Sequence, residues 1–337
     1  MRLFFDERQL GHAPAVELNN GSFEPYAEHP GRVRSILEAI GATEPPRDGG
    51  EKPLLRVHSR AYLDFLKGAW REWREWREAE RPGDAVPYAW PVIRRRPLAL
   101  DRIDAKLGLY SYDASTPIAE GTWEGAYWSA QTALSALEAV LAGERTAFAL
   151  CRPPGHHCGA DYMGGYCYLN SAAVAAEAAI AAGRRRVAIL DIDYHHGNGT
   201  QDVFYARGDV LLVSIHADPR TDYPFYWGHA DEGGEGEGEG ATLNLPLPRG
   251  TDIGGYLPAL DRALERVAVF APDLLVCSYG ADTYSGDPIS HFRLDTEDYP
   301  VLAGRIAALG VPTLIVMEGG YAVDRLGANV AAFLSGF

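Results

Sequence analysis

The chain has 337 residues, 47% of them hydrophobic, which is enough for one large α/β domain or two small ones with a sizeable core. Lysine and arginine number 31 against 46 aspartates and glutamates, and the resulting formal charge of −15 argues against general binding to nucleic acids and fits attraction of cationic ligands. No apolar run is long enough to span a membrane, the N-terminus lacks a signal-peptide core, and the four cysteines have no metal-binding spacing, so we expect a cytoplasmic protein with reduced thiols and no membrane partner.

The first third of the chain is predicted to mix short elements with long loops. The predicted elements are a strand over 2–5, a loop over 11–28, a helix over 33–40 that ends at Gly41, a surface loop over 43–53, and a helix from an N-cap at Ser59 towards Glu80. In the last helix Trp70, Trp73 and Trp76 recur every three residues, which is typical of a packed aromatic stripe. An oligomer contact is the alternative.

A long loop over 81–97 follows this helix. It contains four prolines, Tyr88, Trp90 and the basic run Arg94–Arg96. Loops of this length inside a compact domain are often functional, whereas three arginines are weak evidence for an anion site.

Strand and helix patterns alternate through the rest of the chain. We predict helices over 122–142, 167–182, 255–270 and 295–309, strands over 146–151, 187–193, 209–216, 273–279 and 313–317, and a long loop over 217–240 whose acidic, glycine-rich part at 231–240 would be mobile. This alternation predicts a single α/β domain in which helices cover both faces of a mostly parallel sheet. Sites in such sheets gather at the carboxyl ends of the strands.

Polar residues of the kind that bind metals follow a buried strand in the middle of the chain. Asp191, Asp193 and His195 are two residues apart, and such residues point to the same side of an extended chain. Carboxylates and imidazoles suit a divalent metal, zinc above all, although a solvated polar loop is the alternative. Asp282, at another strand end, is the best third ligand, while His196 has the opposite parity to His195 and is left out.

Two histidines and a tyrosine at other predicted strand ends supply chemistry. Imidazoles of His156 and His157 near a metal-bound water can act as general base and acid. Asp191 as a partner would favour an imidazolium, and Asn198 would leave a neutral ring, so the two histidines could divide the labour. Tyr321 could donate a hydrogen bond to a developing oxyanion; an ordinary core tyrosine is the alternative.

These motifs, in this order, resemble the histone deacetylase superfamily, and within it the branch of bacterial acetylpolyamine amidohydrolases. The motifs that carry the resemblance are Val57–Ser59, Arg152–His157, Gly165–Asn170, Asp191–Gly199, Gly280–Asp282 and Glu318–Tyr321. The resemblance implies an arginase-like α/β fold, with helices on both faces, for nearly the whole chain.

The resemblance also implies a metal centre. One zinc would be held by Asp193, His195 and Asp282, would polarise an acetyl carbonyl and would activate a water; iron(II) accepts the same ligands. A structural potassium ion would bind the Asp191–Asp193 region, with contributions from Ser214 and Ile215. The implied catalytic residues are His157 as general base and then acid, His156 with Asp191 as an electrostatic pair, Asn198 behind His157, and Tyr321 at the oxyanion.

Substrate-binding residues follow from the same resemblance. The Gly165 carbonyl would accept from the substrate amide, Tyr166 and Tyr223 would enclose its alkyl chain, Phe225 would help to wall the tunnel, and Glu17 and Asp104 are candidate carboxylates at the mouth for a cationic chain. Ser115 stands where some polyamine-selective relatives carry an acid, which is a departure from their pattern. The loop over 81–97 resembles the one that builds a dimer and narrows the entrance in that branch, so a homodimer is expected.

The leading interpretation is therefore a zinc-dependent deacetylase of small cationic acetylated amines such as acetylpolyamines. A lysine deacetylase that acts on peptides or proteins is the nearest alternative. A dinuclear ureohydrolase shares the architecture but needs more carboxylates around the ligands. A non-catalytic module that recognises acetylated ligands is the alternative from another class, and the complete set of His156, His157 and Tyr321 speaks against it.

Overall fold

The sheet of the molecule is built from strands whose sequences are continuously apolar. The computed structural model describes residues 1–77, 83–91 and 99–337. Its strands are β1 (Arg2–Phe4), β2 (Val16–Asn19), β3 (Ser22–Pro25), β4 (Thr146–Ala149), β5 (Val187–Asp191), β6 (Val210–Ala217), β7 (Thr242–Leu247), β8 (Leu274–Tyr279) and β9 (Thr313–Met317). Seven of them form one parallel sheet in the order β1-β4-β9-β8-β5-β6-β7, while β2 and β3 form a separate hairpin.

Helices cover both faces of this sheet, as the sequence predicts. The helices of the described residues are α1 (Gly31–Ile40), α2 (Arg60–Arg77), α3 (Ile103–Leu109), α4 (Thr122–Leu141), α5 (Ser171–Ala181), α6 (Asn198–Phe204), α7 (Ile253–Phe270), α8 (Tyr299–Ala307) and α9 (Val323–Leu334). Side chains of β5 alternate between the two cores: Val187 and Ile189 pack with α2, α4 and α5, whereas Ala188 and Leu190 pack with α1, α7, α8 and α9. All five residues of β5 are buried, as expected for a strand covered on both sides.

The register of the central strands gathers polar residues at one edge of the sheet. Asp191, the last residue of β5, pairs with Ser214 of β6 and with Ser278 of β8. Because the strands are parallel, the segments that leave β5, β8 and β9 all begin at this edge. The sheet therefore brings together residues that are far apart in the chain: the Gly319 N–H, for example, donates to Asp193, 126 positions away.

Several predicted boundaries are wrong, and each error has a local cause. The helix predicted from residue 167 starts at Ser171, because the Asn170 side chain caps it by accepting from the Ala173 backbone N–H at 2.9 Å. The strand predicted to reach Asp193 stops at Asp191. Helices α3, α6 and α9 and strand β7 were not predicted.

The segment predicted as a loop over 11–28 contains the β2–β3 hairpin. Asn20 and Gly21 form its turn with φ values of 47° and 86°, and Asn-Gly is a strong signal for such a turn. The hairpin places Glu17 in the protein interior, while its register partner Glu24 is exposed.

The acidic segment over 231–240 packs against the preceding chain. The Glu235 N–H donates to the Tyr205 carbonyl at 2.9 Å, and Gly240 closes the segment by donating to Gly233 at 2.7 Å. Gly238 is buried, and a Cβ there would lie 2.4 Å from the Tyr205 carbonyl oxygen, so the close approach requires glycine. The repeated glycines thus permit packing against residues 205–207.

The tryptophan stripe of α2 is only partly buried. Trp73 is buried and donates from its indole to the Gly83 carbonyl at 2.9 Å, whereas Trp76 is 40% exposed. The packed interpretation suits Trp73, and an oligomer contact stays a prediction for Trp76.

The predicted loop over 81–97 lies partly outside the described residues, and Arg94–Arg96 lie wholly outside them. Within the described ranges, none of the helices combines the length and apolarity that crossing a bilayer needs.

Candidate metal centre and active site

Three potential metal ligands meet beyond the carboxyl ends of β5 and β8. The Nδ1 atom of His195 lies 3.0 Å from Oδ2 of Asp282 and 3.4 Å from Oδ1 of Asp193. One ligand atom from each residue lies within 4.8 Å of the other two, and both aspartates are buried. This arrangement brings the three predicted ligands together from two strands.

Hydrogen bonds from the backbone orient the two carboxylates. Asp193 accepts from the Gly319 N–H at 2.8 Å and from the His195 N–H at 2.9 Å, and Asp282 accepts from the Tyr194 N–H at 3.0 Å. Since the strand ends at Asp191, these bonds rather than strand alternation set the positions of Asp193 and His195. A Cβ on Gly319 would lie 2.6 Å from the Asp282 carboxylate, so this position must lack a side chain.

The electrostatics of these residues suit a divalent cation. Burial, together with the neighbouring Asp193 carboxylate, raises the pKa of Asp282 to about 7. Two buried carboxylates this close repel each other unless a proton or a cation lies between them. A set of two oxygens and one imidazole nitrogen, with room for a further ligand, fits zinc and also iron(II).

The two adjacent histidines have different partners. His156 Nδ1 lies 3.0 Å from Asp191, and His157 Nδ1 lies 2.7 Å from Oδ1 of Asn198. Burial works to lower the pKa of His156, but the Asp191 and Asp193 carboxylates outweigh it and raise that pKa to about 10. Burial, with the neighbouring His156 cation, lowers the pKa of His157 well below its ordinary value. An amide oxygen can only accept, so His157 carries its proton on Nδ1 and presents Nε2 as a base.

Glu318 supports the histidine segment and was not assigned a role from the sequence. Its Oε2 accepts from the backbone N–H groups of Gly155 and His156 at 2.7 and 3.2 Å, and its Oε1 accepts from the Ser278 hydroxyl at 3.2 Å. Cys167 lies close enough to complete a second cluster of potential ligands with His156 and Glu318. Because both Glu318 oxygens already accept hydrogen bonds, we interpret this cluster as support for the histidines.

A cavity of about 170 Å³ opens above these groups. Its walls are formed by Glu17, Asn19, Ser115, His157, Gly165, Tyr166, His195, Tyr223, Ile289 and Tyr321. Most of the predicted catalytic and substrate-binding residues either line it or contact a residue that does. Asp104 and Phe225 do not line it: Asp104 pairs with Arg102 at 2.6 Å, and the Phe225 side chain is 48% exposed.

Tyr321 is held in the cavity wall from two sides. Its backbone N–H donates to Asp287 at 2.6 Å, and its ring lies 5.6 Å from that of Tyr166. The Arg32 guanidinium lies 4.9 Å from the Tyr321 ring and donates to the carbonyls of Gly320 and Glu318 at 2.6 and 2.5 Å. Burial raises the pKa of the Tyr321 phenol well above its usual value, so it remains a hydrogen-bond donor at neutral pH.

Arg32 belongs to a buried ionic network that sequence reasoning missed. Glu28 accepts from Arg32 at 2.7 Å and lies 2.9 Å from Arg152 Nε, and all three side chains are buried. Arg152 also donates to the carbonyls of Gln9 and His12. Glu28 and Arg32 are only four residues apart, but no pattern in the sequence links this pair to Arg152, which lies 124 positions from Glu28.

Asp113 and Tyr112 form a further missed support. Asp113 accepts from the Gly165 N–H at 2.7 Å and from the Tyr223 hydroxyl at 2.8 Å, so it ties two cavity walls together. The Tyr112 hydroxyl donates to Asn198 Oδ1 at 3.2 Å, and the same oxygen accepts the hydrogen bond from His157 Nδ1. On the opposite wall, Tyr166 donates to Glu17 at 3.0 Å.

Comparison with known proteins gives consistent similarities. The model of the histone deacetylase domain family matches residues 26–337. The chain is 50% identical to acetylpolyamine amidohydrolase 1 and 47% identical to acetylpolyamine amidohydrolase 2 of Pseudomonas aeruginosa, in each case over all of this chain and 98% of the relative. The crystal structure of an acetylpolyamine aminohydrolase from Burkholderia pseudomallei has a TM-score of 0.95 at 43% identity, over all of this chain and 98% of that one.

Proposed function

The chain belongs to the histone deacetylase family, and on that premise we propose that it is a zinc-dependent amidohydrolase that removes acetyl groups from small acetylated amines such as acetylpolyamines. The observation that carries the proposal is the cluster of Asp193, His195 and Asp282 beside a cavity lined by His157 and Tyr321. The similarity of the whole chain to proteins named acetylpolyamine amidohydrolase also supports the proposal.

Asp193, His195 and Asp282 would hold the zinc. When bound, zinc supplies Lewis acidity toward an amide carbonyl and lowers the pKa of a water in its coordination sphere. The buried carboxylates offer the oxygen ligands, and the partial exposure of His195 to the cavity leaves an open side for water and substrate.

The roles of the two histidines follow from their partners. His157, with its proton fixed on Nδ1 by Asn198, would take a proton from the attacking water at Nε2 and later deliver it to the leaving amine nitrogen. His156, kept positive by Asp191, would stabilise negative charge that develops nearby without changing its own protonation state. The Tyr321 hydroxyl would donate to the oxygen of the former carbonyl as it becomes an oxyanion.

A cationic substrate suits the charge of the protein and of the cavity. The net charge is −15, and Glu17 lies in the cavity wall next to Tyr166. Tyr166 and Tyr223 would flank the alkyl chain, and Gly165 would accept from the amide N–H. Ser115 in the same wall brings no charge, and this observation favours the second candidate, a lysine deacetylase acting on peptides or proteins.

Rates on a panel of substrates distinguish the two candidates. With metal-defined protein, kcat/KM should be higher for acetylated diamines and longer acetylpolyamines than for acetyl-lysine peptides. A large advantage for the peptides would replace the first candidate with the second. Hydrolysis of neither class by zinc-loaded protein would contradict both, and about two manganese ions per chain would favour a ureohydrolase.

Three further proposals concern a second metal ion, the oligomeric state and the cellular compartment. A structural potassium ion would bind near Asp191 and Ser214, which are register partners; among the residues that the structure describes, Asp191 Oδ1 accepts only from the Asp193 N–H, at 3.1 Å. We also propose a homodimer in which the loop over 81–97 narrows the entrance, supported by the exposed Trp76 at the end of α2. Four buried free cysteines support a reducing compartment such as the cytoplasm.

A further inference from the structure

A loop over 218–228 controls one wall of the cavity. It carries Tyr223, whose ring lies 5.1 Å from that of His157 and 6.2 Å from that of His195. Two separate hydrogen-bond networks fix the middle and the end of this loop. Each network begins at a residue that flanks His195 in the sequence, Tyr194 on one side and His196 on the other.

The first network fixes the middle of the loop. The Tyr194 hydroxyl donates to Oδ1 of Asp222 at 2.7 Å, and Oδ2 of Asp222 accepts from Arg249 at 2.9 Å and from the Thr221 hydroxyl at 2.7 Å. Tyr194 and Asp222 are both buried. Asp222 immediately precedes Tyr223, so its three hydrogen bonds fix the backbone from which the Tyr223 ring projects.

The second network fixes the end of the loop. His196 Nδ1 lies 3.1 Å from the Ser214 hydroxyl, which lies 2.7 Å from His216 Nδ1, and His216 Nε2 lies 2.9 Å from the Gly228 carbonyl. The two histidines and the serine are completely buried, which disfavours a charge on either ring.

The donor and the acceptor of each hydrogen bond in this network can be assigned in turn, starting from the Gly228 carbonyl. A carbonyl oxygen can only accept, so His216 donates to Gly228 from Nε2 and its Nδ1 must accept from the Ser214 hydroxyl. The Ser214 oxygen in turn accepts from His196 Nδ1. A Cβ on Gly228 would lie 2.7 Å from the His196 ring, so the loop end rests directly on the network.

We propose that Asp222 and His216 are positioning residues that hold Tyr223 at a fixed place relative to the metal ligands and so determine which alkyl chains the cavity accepts. Neither residue lines the cavity, so each acts through the loop. The two networks begin at Tyr194 and His196, the residues on either side of His195 in the sequence. The same backbone segment therefore supports both His195 and the cavity wall that carries Tyr223. The kinetic consequence rests on the proposed function, whereas the structural consequence does not.

Two variants of His216 separate the Gly228 contact from the rest of the network. His216→Gln keeps a donor at the place of Nε2, whereas His216→Asn keeps only an acceptor near the place of Nδ1. Backbone amide exchange of residues 221–228 should be faster in His216→Asn by about fivefold, the factor that corresponds to one hydrogen bond of average strength, and near wild type in His216→Gln. Tyr194→Phe should give a similar increase at residues 221–223, with Arg220→Ala as a control, because the Arg220 side chain is 77% exposed and pairs with Asp218 at the surface of the same loop.

The kinetic measurement completes the test. His216→Asn and Tyr194→Phe should raise KM for an acetylated alkylamine several-fold and flatten the preference between chain lengths, with kcat and metal content nearly unchanged. Exchange rates and KM values like those of wild type in both variants would overturn the proposal, and so would loss of the metal in step with the loss of activity. If the wild-type protein hydrolyses no acetylated amine, the proposed function fails, and the exchange rates still decide whether the two networks hold the loop.

Discussion

Removing one hydroxyl from the cavity wall tests the assignment of Tyr321. Tyr321→Phe keeps the ring that contacts Tyr166 and the Arg32 guanidinium, and it leaves the backbone bond to Asp287 intact. We therefore expect folding and metal content to stay close to wild type. The lost interaction is a hydrogen bond to charge that develops in the transition state, and removal of one such donor typically costs about 10²–10³ in kcat, or about 2.7–4 kcal/mol.

The measurement is kcat on an acetylated diamine with zinc-loaded protein, together with metal content and the thermal unfolding midpoint. Tyr205→Phe serves as a matched control, since Tyr205 is a partly buried tyrosine outside the cavity. A Tyr321→Phe variant within about threefold of the wild-type kcat would refute the oxyanion role. A variant that loses both metal and activity would show that the hydroxyl supports the metal site, and this result would also contradict the oxyanion role.

Three other predictions follow from groups around the site. Burial raises the pKa of Glu17 to about 7, so its carboxylate becomes charged as the pH rises through 7. The KM for a cationic substrate should therefore fall as the pH rises from about 6 to 8. Glu17→Gln should abolish this pH dependence of KM without abolishing turnover. Arg32→Met leaves Glu28 with one fewer partner in a buried network and should destabilise the fold by about 3–5 kcal/mol in urea unfolding, whereas Arg2→Met, which breaks an exposed pair, should leave the free energy of unfolding close to that of wild type. Asp193→Asn should reduce the zinc content from about one per chain towards zero and remove activity, and retention of stoichiometric zinc by that variant would exclude Asp193 as a ligand.

Local pattern predicted the elements well where burial is continuous. The strand over 313–317 is confirmed residue for residue. The predicted end of the first helix is also confirmed: α1 ends at Ile40, and Gly41, which follows it, has a positive φ that stops the helix. Pattern was less successful where a side-chain cap or a turn decides the boundary, as at Asn170 and at the Asn20 turn. Both signals are present in the sequence, so these two boundaries were open to prediction.

The supports of the site were harder to predict than its polar centre. Motifs such as Asp-x-His mark their own chemistry, whereas Glu28 and Asp287 are ordinary acidic residues until the fold places their partners. Glu318 contacts residues 163 positions away, and no local spacing encodes such a contact. Parity along the strand also gave an incomplete reason for the metal cluster, because β5 ends at Asp191 and hydrogen bonds from Gly319 and Tyr194 orient the carboxylates beyond it.

The order of strands in the sheet has a consequence for how the protein assembles. The last two strands along the chain, β8 and β9, lie in the middle of the sheet between β4 and β5. A nascent or truncated chain that ends before residue 273 therefore has two half-sheets, each with an unpaired apolar edge that invites association with other chains. Insertion of β8 and β9 joins the halves and delivers Asp282 and Tyr321 in the same step, so acquisition of the metal would report completion of the sheet.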